Sequence, residues 1–318
     1  MKIAICGDIH FKGKNPRKRL DDYTESLFLK LSFILYRPIT HFEHLGDLIS
    51  DPKQLLPDWM KNKAIRVFRD AQNRGIQLDT ILGNHDFPNE DFDSIQKTSF
   101  YNIILSKAMN YRKCGEMWKI DNTMFVAIPY LFDEAVAFIA DLPKMLDSKT
   151  EYVILLGHHF YEWGLDMEHS IAQATLQPLM NDFARKYLVF LGHDHQQHDP
   201  VSLGNVTVYR PGSLMRAEQN EYNLTQQPCI YEYDTETHAV EKIMVPCKPA
   251  EEIFDVKHYT ICKSVKRTFD EIKERLKGLK LSSNHQTYKM SDELVRIEAP
   301  TDVIDYIRSL YVINNQEF

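Results

Sequence analysis

Five times in the first 195 residues an apolar run gives way to a short polar motif, and a glycine stands at each join. Gly7-Asp8-Ile9-His10 follows Lys2–Cys6, Gly46-Asp47 follows His41–Leu45, and Gly83-Asn84-His85-Asp86 follows Gln77–Leu82. Gly157-His158-His159 follows Tyr152–Leu156, and Gly192-His193-Asp194-His195 follows Leu188–Leu191. The β-branched and aromatic content of the runs predicts strands. Glycine permits a sharp turn and a close approach of backbone to a ligand. Ligands in α/β sheets gather at the carboxyl ends of strands, so these ends can converge on one site.

Two further runs, Thr123–Ile128 and Val206–Tyr209, also read as strands. Apolar residues at three-to-four spacing predict helices over Asp21–Leu35, Leu56–Gln72, Phe92–Leu105 and Ile171–Lys186. This alternation predicts an α/β architecture with at least one largely buried sheet. A boundary is expected near Val245-Pro246-Cys247-Lys248-Pro249, where two prolines punctuate the chain. The expected division is a catalytic domain over 1–248 and a capping segment over 249–318. The cap would be α+β, with a helix over Val265–Leu279, a strand over Glu293–Glu298 and a helix over Thr301–Leu310, N-capped by Thr301.

Composition narrows the function classes. No apolar run approaches the length of a bilayer span, and the start reaches Asp8 without the apolar stretch of a signal peptide. Five scattered cysteines frame neither disulfides nor a zinc knuckle, so the expected compartment is a reducing cytoplasm. A net charge of -7 gives no global field drawing the chain onto nucleic acid, so binding of that kind needs a local patch. One lies directly after the first motif: Lys12, Lys14, Arg17, Lys18 and Arg19, with no acid among them.

The motif residues are aspartate, asparagine and histidine, oxygen and nitrogen donors suited to manganese, iron or zinc. Seven donors exceed one tetrahedral ion but suit two ions sharing a bridging carboxylate. Such a pair, about 3.5–4 Å apart, clamps the attacking and leaving oxygens of a phosphoryl displacement. His41 and His44 lie within a strand and read as structural. His159 is expected to point away from the site, and Asp194 reads equally as a supporting residue or a solvated turn residue.

The ordered set D-x-H, G-D, G-N-H-D, G-H and G-H-x-H resembles the calcineurin-like metallophosphoesterases, over residues 1 to roughly 215. The resemblance implies a four-layer sandwich: two packed mixed β-sheets flanked by helices, with the small C-terminal cap. It implies that Asp8, His10 and His195 bind one metal, that Asn84, His158 and His193 bind the other, and that Asp47 bridges. His85 would be the catalytic histidine outside the ligand set, oriented by Asp86. The two divalent ions would be Mn2+. Where relatives that cut DNA commonly carry a histidine or aspartate, this chain has Ser50, which sets any helper role of that loop, Asp51 included, in question.

The motifs alone leave phosphatases, cyclic-nucleotide phosphodiesterases and nucleases open. The basic patch favours a nuclease, with Lys14, Arg17, Lys18 and Arg19 as the expected DNA phosphate contacts. Pro211-Gly212-Ser213-Leu214-Met215-Arg216 resembles the glycine-serine turn of SbcD-type nucleases, and the C-terminal segment resembles their capping domain. That resemblance implies a bacterial or phage-encoded cytoplasmic DNA exonuclease/endonuclease acting in double-strand-break repair or recombination, with no membrane association. Its partners would be DNA, an SbcC-type coiled-coil ATPase subunit and a second copy of itself, paired through Leu56–Gln72 and Phe92–Leu105. The alternative is a small-molecule or cyclic-nucleotide phosphodiesterase or phosphatase.

Overall fold

A computed structural model describes residues 1–16, 18–88, 92–162, 170–257, 259–260, 301 and 304–305. The chain divides into two compact units, Met1–Lys248 and Pro249–Phe318. The elements expected at Val265–Leu279 and Glu293–Glu298, and most of Thr301–Leu310, lie outside the described residues. All five motifs are in the first unit.

That unit opens with β1 (Lys2–Cys6), α1 (Tyr23–Leu35), β2 (His41–His44), α2 (Asp58–Asn73), β3 (Gln77–Thr80), α3 (Ser99–Leu105) and β4 (Asn110–Tyr111). It continues through β5 (Met117–Ile120), β6 (Thr123–Ile128), α4 (Phe132–Met145), β7 (Tyr152–His158), β8 (Phe160–Glu162), β9 (Ser170–Ala172) and α5 (Gln177–Met180). It closes with β10 (Lys186–Gly192), β11 (His198–Leu203), β12 (Val206–Arg210), α6 (Glu221–Thr225), β13 (Cys229–Asp234) and β14 (Val240–Met244).

Two mixed sheets result, one ordered β14-β13-β1-β2-β3-β4 and the other β11-β12-β10-β7-β6-β5. In the first, β1, β2 and β3 run parallel; in the second, β6, β7, β10 and β12 do. Parallel strands place their carboxyl ends on one edge, which brings the motifs together. Alternation along the strands builds the layers, because successive side chains point to opposite faces. Ile3 and Ile5 pack with Ile154, Leu156 and Phe190 in a core between the sheets. Ala4 and Cys6 face outward onto Leu27 and Leu31 of α1 and Phe68 of α2. On the other side Val153 and Leu155 meet Ala135, Ile139 and Leu142 of α4. The architecture is the expected sandwich of two sheets flanked by helices.

Two helical expectations are corrected, and one helix is added. Phe92–Leu105 is broken: a 3-10 turn over Phe92–Lys97 precedes α3, and Thr98 punctuates the two. Its hydroxyl donates to the Ile95 carbonyl at 2.7 Å and accepts from the Tyr101 amide, so it closes one turn and caps the next. Ile171–Lys186 is no single helix. Ile171 belongs to β9, paired parallel with β8, and only a 3-10 turn and the four residues of α5 are helical before Lys186 opens β10. Conversely α4 was not anticipated. Its buried stripe Ala135, Ile139, Leu142 has helical spacing, but Pro143 reads in sequence as a breaker and here sits in the last turn, where the helix is ending.

Candidate metal centre

The site is built from motifs that interlock. Gly83, at the end of the third run, lies so close to the second motif that a Cβ there would be 2.2 Å from Asp47 Oδ1. Its lack of a side chain is what admits the carboxylate. His10, Asp47 and His193 adopt left-handed backbone, with φ of 53°, 57° and 81°. Such conformations cost a non-glycine residue of order 1 kcal/mol or more and cluster where geometry serves function. At these three motifs the chain bends sharply to turn a polar side chain into the gap between strand ends.

Two groups of donors form, and Asp47 belongs to both. In the first, Asp8, His10, Asp47 and His195 bring ligand atoms within 4.8 Å of one another. His10 Nε2 lies 2.9 Å from His195 Nε2, 3.8 Å from Asp8 Oδ2 and 3.6 Å from Asp47 Oδ2. In the second, Asp47, His158 and His193 do the same. Asn84 Oδ1 joins them, 3.1 Å from His158 Nε2 and 3.0 Å from His193 Nδ1. All seven sequence-derived donors are therefore brought together. His85 is beside them but in neither group, its ring centroid 5.1 Å from that of His10.

The donor set fits a pair of divalent cations. Asp8 Oδ2 is buried without a hydrogen-bond partner, an arrangement that is costly unless a cation meets it. His158 Nδ1 donates to the Leu45 carbonyl at 2.7 Å, which leaves Nε2, facing Asp47 and Asn84, as the nitrogen that would give up its proton to ligate a cation. Burial pushes His10 and His193 down to about 3, so both are neutral and able to ligate. His158 moves the other way: burial opposes its charge, but the carboxylate of Asp47 raises it to about 9. Burial also works against ionised Asp47, yet His158, His10 and His85 hold it below the usual carboxylate range. The second motif is thus a deep negative charge that favours any cation placed between these groups. Burial, with the charge of Asp47 adding to it, raises Asp8.

Two expectations are corrected. Asp86 does not orient His85: its carboxylate accepts from the backbone amides of Asp47 and Gly83 at 2.9 Å each and of Ile49 at 3.1 Å. It braces the loops that carry Asp47 and Asn84. His85 is oriented by Ser50, whose backbone carbonyl accepts from Nδ1 at 2.8 Å, and its own amide donates to Asp47 Oδ1. A backbone carbonyl leaves no mark in the residue identity at position 50, so only the fold discloses it. Arg19 is not a solvent-facing phosphate contact. It is buried, its guanidinium paired with Asp21 at 2.7 Å and donating to the Arg216 carbonyl. Asp21 is two residues away on the far side of Leu20, and burying the pair together satisfies a charge that sequence alone left in solvent.

Among the other patch residues, Lys14 and Lys18 are exposed, Lys12 is half-buried, and Arg17 lies outside the described residues. Lys12 and Lys14 line a groove of about 360 Å³ with Asn15, Ser50, Asp51 and Leu55. His159 points away from the donors, as expected, with Nε2 3.0 Å from the Pro129 carbonyl. His44 bonds Thr80, and Asp194 accepts from His198 at 2.7 Å, away from the two donor groups. Aromatic neighbours were missed in sequence: Phe160 packs edge-on to His193 at 4.1 Å between centroids, with Tyr130 at 5.4 Å. Phe160 follows the fourth motif by one residue, and that adjacency was its one sequence signal.

A family model described as calcineurin-like phosphoesterase matches residues 1–197, a span that includes every donor. No curated protein matches the chain. Similar solved structures include a dimetal phosphatase from Danio rerio (LOC 393393), 13% identical, with 77% of this chain and 99% of that one covered at a TM-score of 0.46. Vps29 of Chaetomium thermophilum is 11% identical, with coverage of 78% and 97% and a TM-score of 0.34. A glutamine-dependent NAD+ synthetase of Acinetobacter baumannii is 14% identical, with coverage of 78% and 48% and a TM-score of 0.35. Among the described residues no helix is long and apolar enough to cross a membrane.

Proposed function

The chain belongs to the calcineurin-like phosphoesterase family, and on that premise we propose that it is a manganese-dependent DNA nuclease of SbcD type, acting as exonuclease and endonuclease. The observation that carries the choice of DNA is the groove beside His85. Ser50, which holds His85, also lines the groove, and Lys12 and Lys14 line its other parts. Cations are therefore placed next to the reacting centre, where the neighbouring phosphates of a polymer would run.

Asp8, His10 and His195 would hold one ion, Asn84, His158 and His193 the other, and Asp47 both. A bound pair of divalent ions supplies Lewis acidity toward the phosphoryl oxygens and lowers the pKa of a water. The protein's own part is positional. The Ser50 carbonyl accepts the Nδ1 proton of His85, so in the imidazolium form the second proton sits on Nε2, where the ring hydrogen-bonds the leaving oxygen, hands it that proton and returns to the neutral Nδ1–H tautomer. Asp86 keeps the second and third motifs in register by tying three backbone amides. Lys14 and Lys18 would hold phosphates beyond the scissile one. An SbcC-type ATPase and a second copy are the partners this reading implies. Exposed Leu55, Trp59 and Leu105, beside and on α2 and α3, support the pairing of copies.

The test is an assay with manganese on linear duplex DNA, single-stranded DNA and bis-p-nitrophenyl phosphate side by side. DNA cleavage is the expected result. Hydrolysis of the small ester alone would transfer the site to the small-molecule phosphodiesterase reading. A salt series sharpens it: each phosphate neutralised contributes roughly -0.9 to the slope of log affinity against log salt. Lys14→Ala with Lys18→Ala should flatten that slope by about 2 and leave small-ester turnover nearly unchanged. An unchanged slope would make these lysines merely solvated.

A further inference from the structure

The segment Pro211–Arg216 reaches the metal centre without contributing a ligand, and its contacts are selective. The Leu214 amide donates to the Asp8 carbonyl at 2.9 Å, and the Ser213 amide donates to the His195 carbonyl at 3.1 Å. The Ser213 hydroxyl lies 3.3 Å from the same Asp8 carbonyl. One tight turn thus ties together the backbones of two residues that come from different sheets and belong to the same donor group. The amides of Ser213 and Leu214 and the Ser213 hydroxyl meet two members of one donor group, Asp8 and His195.

The turn is itself rigidly placed. Gly212 has φ of 73°, and a Cβ there would lie 2.8 Å from the His195 carbonyl oxygen and 2.9 Å from the Gln197 amide. Gly7 is packed so closely on it that a Cβ would sit 2.1 Å from the Gly212 carbonyl oxygen. Both contacts are with backbone, which cannot swing aside. Two buried basic side chains hold its carbonyls. Lys30 of α1 donates to Leu214 at 3.0 Å, and Arg19 donates to Arg216. These side chains are 3% and 6% exposed, so their N–H donors are committed inward.

We propose that the Gly212–Arg216 turn, anchored by Lys30 and Arg19, is a positioning element for one metal of the pair, the one assigned to Asp8, His10 and His195. The inference rests on the two-metal reading and is independent of whether the substrate is DNA. Asp8 and His195 follow strands of separate sheets, and His195 is half-exposed; the His193 amide ties that strand end to Asp8 Oδ1 at 3.1 Å, and the backbone of His195 itself is tied to that of Asp8 by the turn. Supporting contacts of this kind typically alter metal affinity by about 10–100-fold when removed.

The test titrates manganese into the full chain by calorimetry and records the electron paramagnetic resonance spectrum of the filled protein. Wild type should bind two ions and show the spectrum of a coupled pair. Gly212→Ala should keep one ion at wild-type affinity and weaken the other by about 10–100-fold, with the coupled signal replaced by that of an isolated ion. Lys30→Met, which leaves the turn's sequence intact, should give the same selective loss in milder form if Gly212→Ala fails to fold. Adding Asn84→Ala to either variant should weaken the remaining ion, whereas Asn84→Ala alone should leave the ion of the Asp8 group in place. Equal weakening of both ions, or retention of two at wild-type affinity in a folded variant, would overturn the proposal. A wild type that binds no second ion would overturn the two-metal reading with it, so the two failures are told apart by the wild-type stoichiometry.

Discussion

The two halves of the metal centre are built differently. The half formed by Asn84, His158 and His193 is locked from behind: His158 is fully buried and donates to the Leu45 carbonyl, so its Nε2 has one orientation. The half formed by Asp8, His10 and His195 has a half-exposed histidine and is held through backbone by a turn distant in sequence. A buried ligand with a fixed tautomer loses little freedom on binding, whereas an exposed one must be ordered as the ion arrives. His158 is preorganised, whereas the His195 side chain, its backbone held by the turn, is ordered as its ion arrives.

The comparison breaks most visibly at the residue the halves share. Asp47→Ala should remove both ions and take phosphodiesterase activity below detection, since each donor group loses its common carboxylate. Calorimetric titration with manganese checks it, and two tightly bound ions persisting in the variant would end the bridging assignment.

His85 belongs to neither half, which makes its removal a complementary cut. His85→Ala should retain two ions and lower the turnover rate by about 10²–10⁴-fold, the usual loss when a positioned general acid is removed. Altered metal stoichiometry in that variant would move His85 into the ligand set.

A smaller effect bears on the asymmetry itself. Chelator added to the loaded protein should strip the ions in two phases whose rates differ by about tenfold or more. His195→Ala should abolish the fast phase and Asn84→Ala the slow one. A single phase in wild type would show the halves to be equivalent.

The smallest effect contrasts Asp47 with Glu43, a second buried carboxylate on the same sheet. Histidines keep Asp47 ionised, whereas burial and the nearby charge of Asp79 push Glu43 well above the usual carboxylate range. Between the unfolded carboxylate pKa and the raised folded value the native state binds the extra proton. Its stabilising contribution is present at low pH and lost as pH rises through that window. The slope from one such group is at most about 1.4 kcal/mol per pH unit. Glu43→Gln should therefore flatten the fall in urea midpoint between mildly acidic and neutral pH. An unchanged fall would show that Glu43 ionises normally.

Legibility in sequence followed from how local the cause was. The seven donors could be read because each depends on a glycine join and a strand end, features confined to a few neighbouring residues. The inter-sheet alternation of Ile3, Ile5, Ile154 and Leu156 was legible for the same reason. Position 50 was not legible, since its contribution is a carbonyl common to every residue type. Ile171–Lys186 misled because its apolar spacing suits a helix, while pairing of Ser170–Ala172 with Phe160–Glu162 takes the first residues into a strand.

The sequence by itself determined the chemistry of the centre: which donors, in what order, and at the ends of which strands. Tertiary structure alone decided how closely the donors approach one another, what orients His85, and where the cations of the basic patch point. Lys14 and Lys18 are exposed while Arg19, their close neighbour in sequence, is buried against Asp21 and the Arg216 carbonyl. The physical reason is that a charge responds to every charge and dipole within a few ångströms, whatever its place in the chain, and for Arg19 that neighbourhood includes a backbone carbonyl 197 positions along the chain.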